Sequence, residues 1–336
     1  MDSRIDTLLQ AVDAAIAANL ASKPQFSGLY DMMRHHFGWL EPSDAATAGK
    51  KLRPLLCLLA AEAVCGDWRK ALPAATAVEL VHNFSLIHDD IQDQSRMRRH
   101  RVTVWARWGA AHGINAGDAM LILAERALID QGVPLSPQVA LTATRVLNTA
   151  CSALCEGQYL DILWEGVPQV TVAQYLEMIE GKTARLFACS AELGAVCAEA
   201  SEADRGRFAA FGRSLGLAFQ AVDDLLGIWS PEAETGKPAD LDVASRKKTL
   251  PILLGLGADP SPDRDRLRAI FSVERKLDLS ETAEATEILG RLGTRERTED
   301  LARRYRAEAL GHLDHLGASH DVTALRELVG ASLPSV

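Results

Sequence analysis

Long uncharged apolar runs are missing from this sequence: none reaches the ~20 residues that a membrane span needs, so no segment is expected to cross a bilayer. A cationic excess is missing too. The net charge is -9, whereas a general nucleic-acid binder needs a broad cationic surface to displace counterions, so nucleic acid is excluded as a partner. Aromatic side chains make up only 5% of the chain while Ala, Leu, Arg and Glu recur throughout, which favours helix over strand because those side chains lose little freedom on a helix. Six cysteines, Cys57, Cys65, Cys151, Cys155, Cys189 and Cys197, form neither a CxxC pair nor a ligand array. They read as reduced core residues of a cytoplasmic protein. The first stretch, with Asp2, Asp6 and Asp13, lacks the basic start and apolar core of a secretory signal and reads as an amphipathic helix.

What is present is a chain of 336 residues, 48% hydrophobic, long enough to bury a large core. Apolar residues recur at spacings of three and four over 52–64, 71–87, 116–129, 139–155, 172–200, 208–228 and 298–316, which predicts consecutive helices. Gly, Pro and Asp cluster at 42–49, 66–67, 132–137, 165–168, 231–242 and 259–262, where the helices are expected to break. None of these breaks is a convincing domain linker. The expected fold is all-α, one helical domain over 1–336, with central helices such as 215–228 apolar on more than one face.

Two acidic motifs carry the chemistry. The first, His88-Asp89-Asp90-Ile91-Gln92-Asp93, closes the apolar run that begins at Ala77. Residues four apart share a helix face, so Asp89 and Asp93 can aim at one point. Hard oxygen ligands with no cysteine nearby suit magnesium, which completes its shell with water and phosphate oxygens. The second, Phe219-Gln220-Ala221-Val222-Asp223-Asp224, sits in an otherwise apolar helix, where adjacent carboxylates are costly unless something cationic neutralises them. Two pairs sharing one metal cluster account for both; two solvated acidic turns remain the alternative at this point.

Cations recur at Lys50 and Arg53, at Arg98 and Arg99, at Lys182, and at Lys237 and Lys247. Such side chains are the usual grips for phosphate oxygens. Gly181-Lys182-Thr183 is not a nucleotide P-loop, because Leu176 stands where the first glycine is required. His35-His36 reads as an exposed loop pair, and Cys151 with Cys155 as a buried helical pair, neither with a role in chemistry.

Taken together, GKKLRP, VELVHNFSLIHDDIQDQSRMRRHR, GKT, FQAVDD and the stretch from TGKP to KKTLP resemble the trans-isoprenyl diphosphate synthase family over about residues 49–251. The resemblance implies that Asp89, Asp93 and Asp223, with Asp90 and Asp224 in support, bind magnesium, three ions per site, around an allylic diphosphate. Arg98, Lys182, Lys237 and Lys247 would grip that diphosphate. Lys50, Arg53, His82 and Arg99 would form the pocket for isopentenyl diphosphate, and Thr183 and Gln220 would set dipoles beside the developing carbocation. A homodimer is implied as well. Four positions depart from the family pattern: Lys51 for Arg, His100 for Gly, Gly227 for the last Asp of the second motif and Arg246 for Gly. Leu333-Pro334-Ser335-Val336 also lacks the basic tail with which some members cover the homoallylic site.

In this family bulk just before the first acidic motif sets product length, which nominates Phe84, with Ser85 next to it. One aromatic and no insertion in the motif is closest to geranylgeranyl synthases, so a C20 product is expected, with C15 the near neighbour. The rivals are a terpene cyclase or irregular prenyltransferase, and a catalytically weak partner subunit.

Overall fold

The computed structural model describes residues 2–21, 24–40, 49–130, 135–165, 167, 169–230, 241–273 and 275–333. Lys237 and residues 334–336, singled out above, lie outside them. Backbone contacts divide the chain into two compact units, one of Met1–Cys151, Cys189–Ala209 and Leu316–Leu325, the other of Ser152–Ala188, Ala210–His315 and Arg326–Val336.

In the first unit, α1 (Asp2–Asn19), α2 (Ser27–Phe37) and α3 (Leu52–Cys65) precede the central α4 (Leu72–Gln92). Pro73 lies in the first turn of α4, where its missing N–H costs nothing, and the helix buries Ala74, Val78, Leu80, Val81, Phe84 and Ile87. An apolar helix of this kind must be covered on most sides, and α1, α3 and the later α6 pack against it. A hairpin follows, β1 (Met97–Arg98) paired antiparallel with β2 (Arg101–Val102). Its two turn residues, Arg99 and His100, have φ of 49° and 61°, the left-handed backbone that a two-residue hairpin turn needs to match strand twist. Helices α5 (Val104–Trp108) and α6 (Ala110–Asp130) complete this part, and α7 (Pro137–Glu165) starts in it.

The second unit holds the end of α7, then α8 (Val172–Ile179), a π-helical turn Glu180–Ala184 and the start of α9 (Arg185–Cys197). A capping box starts α8: Thr171 Oγ1 accepts from the Gln174 N–H while Gln174 Oε1 accepts from the Thr171 N–H, satisfying two donors the helix start would leave unpaired. Most of α10 (Glu202–Trp229) lies here, followed by α11 (Leu241–Ala244), α12 (Leu250–Leu256), α13 (Pro262–Phe271), α14 (Leu279–Arg291), α15 (Thr294–Leu316) and α16 (Thr323–Ser332). Ile228, Val243, Ile252, Leu267, Ile270, Ile288 and Leu289 form one apolar cluster there.

The fold is all-α apart from that hairpin among the described residues, and every helix read from periodicity is present. No helix among the described residues is long and apolar enough to cross a membrane. Several elements escaped the pattern, α13 for instance, because a charged stretch that buries only Leu267 and Ile270 gives no clear 3.6-residue stripe. Two expectations are corrected. His35 and His36 are buried on α2, 4% and 8% exposed, because each finds an internal partner: His35 Nε2–H donates to the Val102 carbonyl at 2.8 Å and His36 bonds Asn83 at 3.1 Å. Among the cysteines, Cys57, Cys189 and Cys197 are core residues, but Cys65 and Cys155 are exposed and Cys151 is half-buried.

Candidate active site

The residues nominated above fall into two groups, one in each unit. In the first unit, Asp89, Asp90 and Asp93 occupy the last turn of α4, where the Asp93 N–H still bonds the Asp89 carbonyl at 2.8 Å. Three carboxylates at the negative end of a helix dipole repel it and one another, so the sequence places there an arrangement that calls for positive charge. Part of that charge comes from β1: Arg98 Nε donates to Asp90 Oδ1 at 2.7 Å. Asp90 is 1% exposed and its Oδ2 has no hydrogen-bond partner among the described residues. Burial pushes Asp90 up to about 6, and the Arg98 charge and hydrogen bond pull it back. Asp89 is half-buried and Asp93 exposed, and Asp90 holds Arg98 beside them.

One turn or more back along α4, arginine charges gather around His82. The Arg99 guanidinium stands over the backbone of Gly49, with its Nη2 2.6 Å from where a Cβ would sit; only glycine permits that approach. Burial and the charges of Arg53, Arg99 and Arg98 hold His82 well below the usual histidine range. His82 is therefore neutral near pH 7 among cations that supply the charge. Lys50 is exposed, and Lys51 pairs with Asp13 of α1.

His36 belongs to the same neighbourhood. Asn83 Nδ2 donates to the Glu79 carbonyl and to Glu79 Oε1 at 2.8 and 2.9 Å. Asn83 Oδ1 is therefore the acceptor toward His36, which must carry its proton on Nε2. Burial, followed by Arg98 and Arg99, lowers His36 to about 3. Between that value and about 6.5 only the unfolded chain takes up this proton, so His36 costs the fold stability as pH falls. Because Asp90 and Asp224 are shifted upward and act with the opposite sign, the difference between wild type and His36→Gln isolates the effect. Urea unfolding is expected to show the stability of wild type relative to the variant dropping by about 2 kcal/mol between pH 7 and pH 5. A constant difference would mean that His36 is charged in the folded protein.

In the second unit, Asp223 is exposed on α10 while its neighbours Val222 and Asp224 are buried. Asp224 is a hub: Tyr175 OH donates to Oδ2, the Leu250 N–H donates to Oδ2 at 2.9 Å and Gln220 Nε2 to Oδ1 at 3.0 Å. Burial pushes Asp224 up to about 6 against those three donors. Thr183 Oγ1 in turn donates to Gln220 Oε1 at 2.9 Å, so Thr183, Gln220, Asp224 and Tyr175 form one hydrogen-bonded chain behind Asp223. Lys182 Nζ bonds Asp161 Oδ2 at 2.6 Å. Thr183 and Lys182 are both carried by the π-helical turn, a feature found mostly at functional sites. Lys247 is exposed in the turn after α11, its N–H bonded to the Asp242 carbonyl at 2.9 Å.

Among the described residues no three His, Cys, Asp or Glu side chains are grouped to hold a metal by protein ligands alone. The donors present are carboxylate oxygens on helices, open on one side, which fits magnesium held by few protein ligands with water and phosphate completing its shell.

Residues 40–289 match the model of a family described as polyprenyl synthetase. The chain belongs to the polyprenyl synthetase family. A (2E,6E)-farnesyl diphosphate synthase of Mycobacterium bovis is 48% identical over 224 residues, 66% of this chain and 61% of that relative. A geranylgeranyl diphosphate synthase of Mycobacterium tuberculosis is 40% identical over 305 residues, 90% of this chain and 86% of the relative. The structure of polyprenyl synthase from Caulobacter crescentus CB15 complexed with calcium and isoprenyl diphosphate is 28% identical, covers 98% of this chain and 95% of that one, and has a TM-score of 0.82. The match to the first of these relatives spans 61% of its length.

All four departures from the pattern of polyprenyl synthetases acquire a structural setting. Lys51, His100 and Arg246 have φ of 45°, 61° and 56°. A glycine would suit the last two without the steric cost that a Cβ brings in that region. Gly227 is of another kind: a Cβ there would lie 2.2 Å from Asp242 Oδ2. The carboxylate of Asp242 thus fills the space that an aspartate at 227 would enter. Sequence reasoning missed Asp161, Tyr175, Glu79 and Asn83. Glu79 and Asn83 were visible as polar residues four apart within an apolar run, sharing a face with His82; Tyr175 and Asp161 gave no signal of their own.

Proposed function

We propose that this chain condenses allylic diphosphates with isopentenyl diphosphate to a linear all-trans prenyl diphosphate, geranylgeranyl diphosphate being the expected product. The reading is supported by the charges of Arg53 and Arg99 around a neutral His82 on the same unit as the acidic turn, a group that Lys50 is proposed to join. A cyclase acting on one diphosphate has no use for a second anion pocket, whereas a synthase joining two diphosphates needs it. Asp89, Asp93 and Asp223 are proposed to hold three magnesium ions on the allylic diphosphate, with Asp90 and Asp224 fixing Arg98 and the Thr183–Gln220 dipoles. Magnesium supplies charge neutralisation to the leaving diphosphate. Lys182, Arg98, Lys247 and Lys237 grip the diphosphate oxygens, and Thr183 with Gln220 turns oxygen dipoles toward the developing positive charge. No side-chain base is required, since the released diphosphate can accept the proton.

The chain is proposed to work as a single domain and as a homodimer in the cytoplasm. Ile114, Ile122 and Ile129, exposed along one face of α6, support the homodimer reading.

Incubation with labelled isopentenyl diphosphate, magnesium and each of dimethylallyl, geranyl and farnesyl diphosphate tests the reading. Product made from an allylic diphosphate alone, as cyclic hydrocarbon, would overturn it in favour of a cyclase; no turnover with any primer would favour a partner subunit. Phe84 is 5% exposed, its ring edge-on to His88 with centroids 5.7 Å apart. Removing the ring opens a cavity that the surroundings close only in part. Phe84→Ala is expected to lengthen the main product by about one C5 unit, read by chromatography of the hydrolysed alcohols; unchanged length removes Phe84 as the floor of the tunnel. The C15 product remains the second reading, favoured by the match to a farnesyl diphosphate synthase.

A further inference from the structure

Asp224 is buried in the second unit, 3% exposed, next to the exposed Asp223, and both of its oxygens are engaged. Oδ2 accepts from two donors on two other elements, the Tyr175 hydroxyl of α8 and the Leu250 N–H that begins α12, the latter at 2.9 Å. Oδ1 accepts from Gln220 Nε2, one turn back on α10, at 3.0 Å. Gln220 Oε1 in turn accepts from Thr183 Oγ1 at 2.9 Å. Tyr175 is itself 3% exposed, and all five residues belong to the same unit.

The direction of these hydrogen bonds follows from their fixed ends. A backbone N–H can only donate, and an ionised carboxylate, the form that such donors favour, can only accept. Two donors on Oδ2 hold the carboxylate against rotation about Cβ–Cγ, which keeps Oδ1 aimed at Gln220. An acceptor in that place selects the amide nitrogen of Gln220 over its oxygen. The oxygen is thereby turned to Thr183 and takes the hydroxyl hydrogen, so what Thr183 can offer to a substrate is a lone pair. With the amide turned over, its NH2 would face Thr183, the hydroxyl would accept, and its hydrogen would be left to point away. The same side chains would then present positive charge where the proposed reaction develops it.

We propose that Tyr175 is a positioning residue of the reaction: with the Leu250 N–H it fixes Asp224 as a directed acceptor, and so sets the sign of the dipoles that Gln220 and Thr183 turn toward the developing allylic cation. The inference rests on the synthase reading above and deepens it, since that reading supplies the cation and the hydrogen bonds supply the sign. Dipoles oriented in advance cost no reorganisation at the moment of ionisation, and dipoles of the wrong sign oppose it.

Single-turnover rates, with enzyme in excess over the allylic primer so that product release does not enter, test the sign. Tyr175→Phe keeps the buried ring and removes the hydroxyl; it is expected to slow the turnover about tenfold, while the KM of each substrate and the magnesium concentration for half-maximal rate stay within about twofold. Asp224→Asn is the sharper change. The Tyr175 and Leu250 donors claim the new amide oxygen, the new NH2 faces Gln220, and Gln220 must turn over, so the rate is expected to fall about a hundredfold. Adding Gln220→Glu restores the direction: the amide at 224 donates to one carboxylate oxygen at 220, and the other takes the Thr183 hydrogen. This exchange of acid and amide is expected to regain about tenfold over Asp224→Asn alone, a rescue that a role confined to packing would not give. Should the exchange not fold, Tyr175→Phe decides alone. A Tyr175→Phe rate within about twofold of wild type, or an exchange no faster than Asp224→Asn, overturns the inference while wild type still elongates. A magnesium requirement that rises in step with the lost rate would make Asp224 a metal ligand instead and overturns it as well. A wild-type chain that consumes no isopentenyl diphosphate with any primer overturns the synthase reading and the inference together.

Discussion

Asp89→Ala and Asp223→Ala are each expected to lower product formation by about three orders of magnitude, with the double variant little worse than the poorer single one. The first part follows from the chemistry proposed for the two acidic motifs. Ionisation of an allylic diphosphate is slow until the leaving charge is neutralised, and a divalent cation can do so only where carboxylates hold it. The second part follows from the proposal that both carboxylates serve one leaving group: on that proposal the loss of either disables the charge neutralisation, so the second loss has little left to remove. Asp223 is exposed, and its removal is expected to change stability by under about 0.5 kcal/mol, so thermal melting separates a damaged site from a damaged fold. Incorporation of labelled isopentenyl diphosphate at saturating magnesium is the measurement. Fully additive losses would mean that the two motifs serve separate ligands. A loss of only a few fold in both would return them to solvated acidic turns.

Much of this was legible in the chain before any coordinates. The placement of Asp89 and Asp93 one turn apart at the end of α4 depends only on helical periodicity in the apolar run that leads to them. The helix 172–200 was legible in extent but not in kind: its π-helical turn, Glu180–Ala184, has no signature in hydrophobic spacing, since it changes hydrogen bonding and not polarity. The hairpin 97–102 was missed for a comparable reason. A two-residue turn is ordinarily announced by Asn or Gly, and Arg99-His100 announces nothing. His35 and His36 were misread as exposed because burial of a histidine is decided by partners, Val102 and Asn83, that lie far along the chain. The hardest residue was Gly227. As a letter it is a missing aspartate; in space it is room for Asp242, and no local pattern connects positions fifteen residues apart across a stretch rich in Gly and Pro.

Gly157→Ala, one methyl group added at a buried position of α7, is expected to lower kcat/KM by about a hundredfold and to lower the melting temperature by several degrees. Residues 153, 157 and 161 share a face of α7 at one-turn spacing, and the π-helical turn crosses that face. A Cβ at 157 would lie 2.2 Å from the Lys182 nitrogen and 2.8 Å from the Gly181 carbonyl carbon, and a Cβ at Gly181 would lie 2.7 Å from the Ala153 carbonyl oxygen. These neighbours are backbone atoms, which cannot rotate away as a side-chain tip would. Relief requires α7 and the turn to separate by about an ångström, and a displacement of that size is enough to disturb a reacting geometry. The separation acts on the residue of the turn proposed to grip a diphosphate, because Lys182 bonds Asp161 at 2.6 Å, the next residue along the same face. Gly206→Ala is the control: Gly206 lies on α10 with nothing within 4 Å of its added Cβ, and there the same methyl should stabilise by about 0.5–1 kcal/mol through helix propensity. If Gly157→Ala melts and turns over like wild type, the two backbones are not in contact at this crossing, and the placement of Lys182 must come from elsewhere.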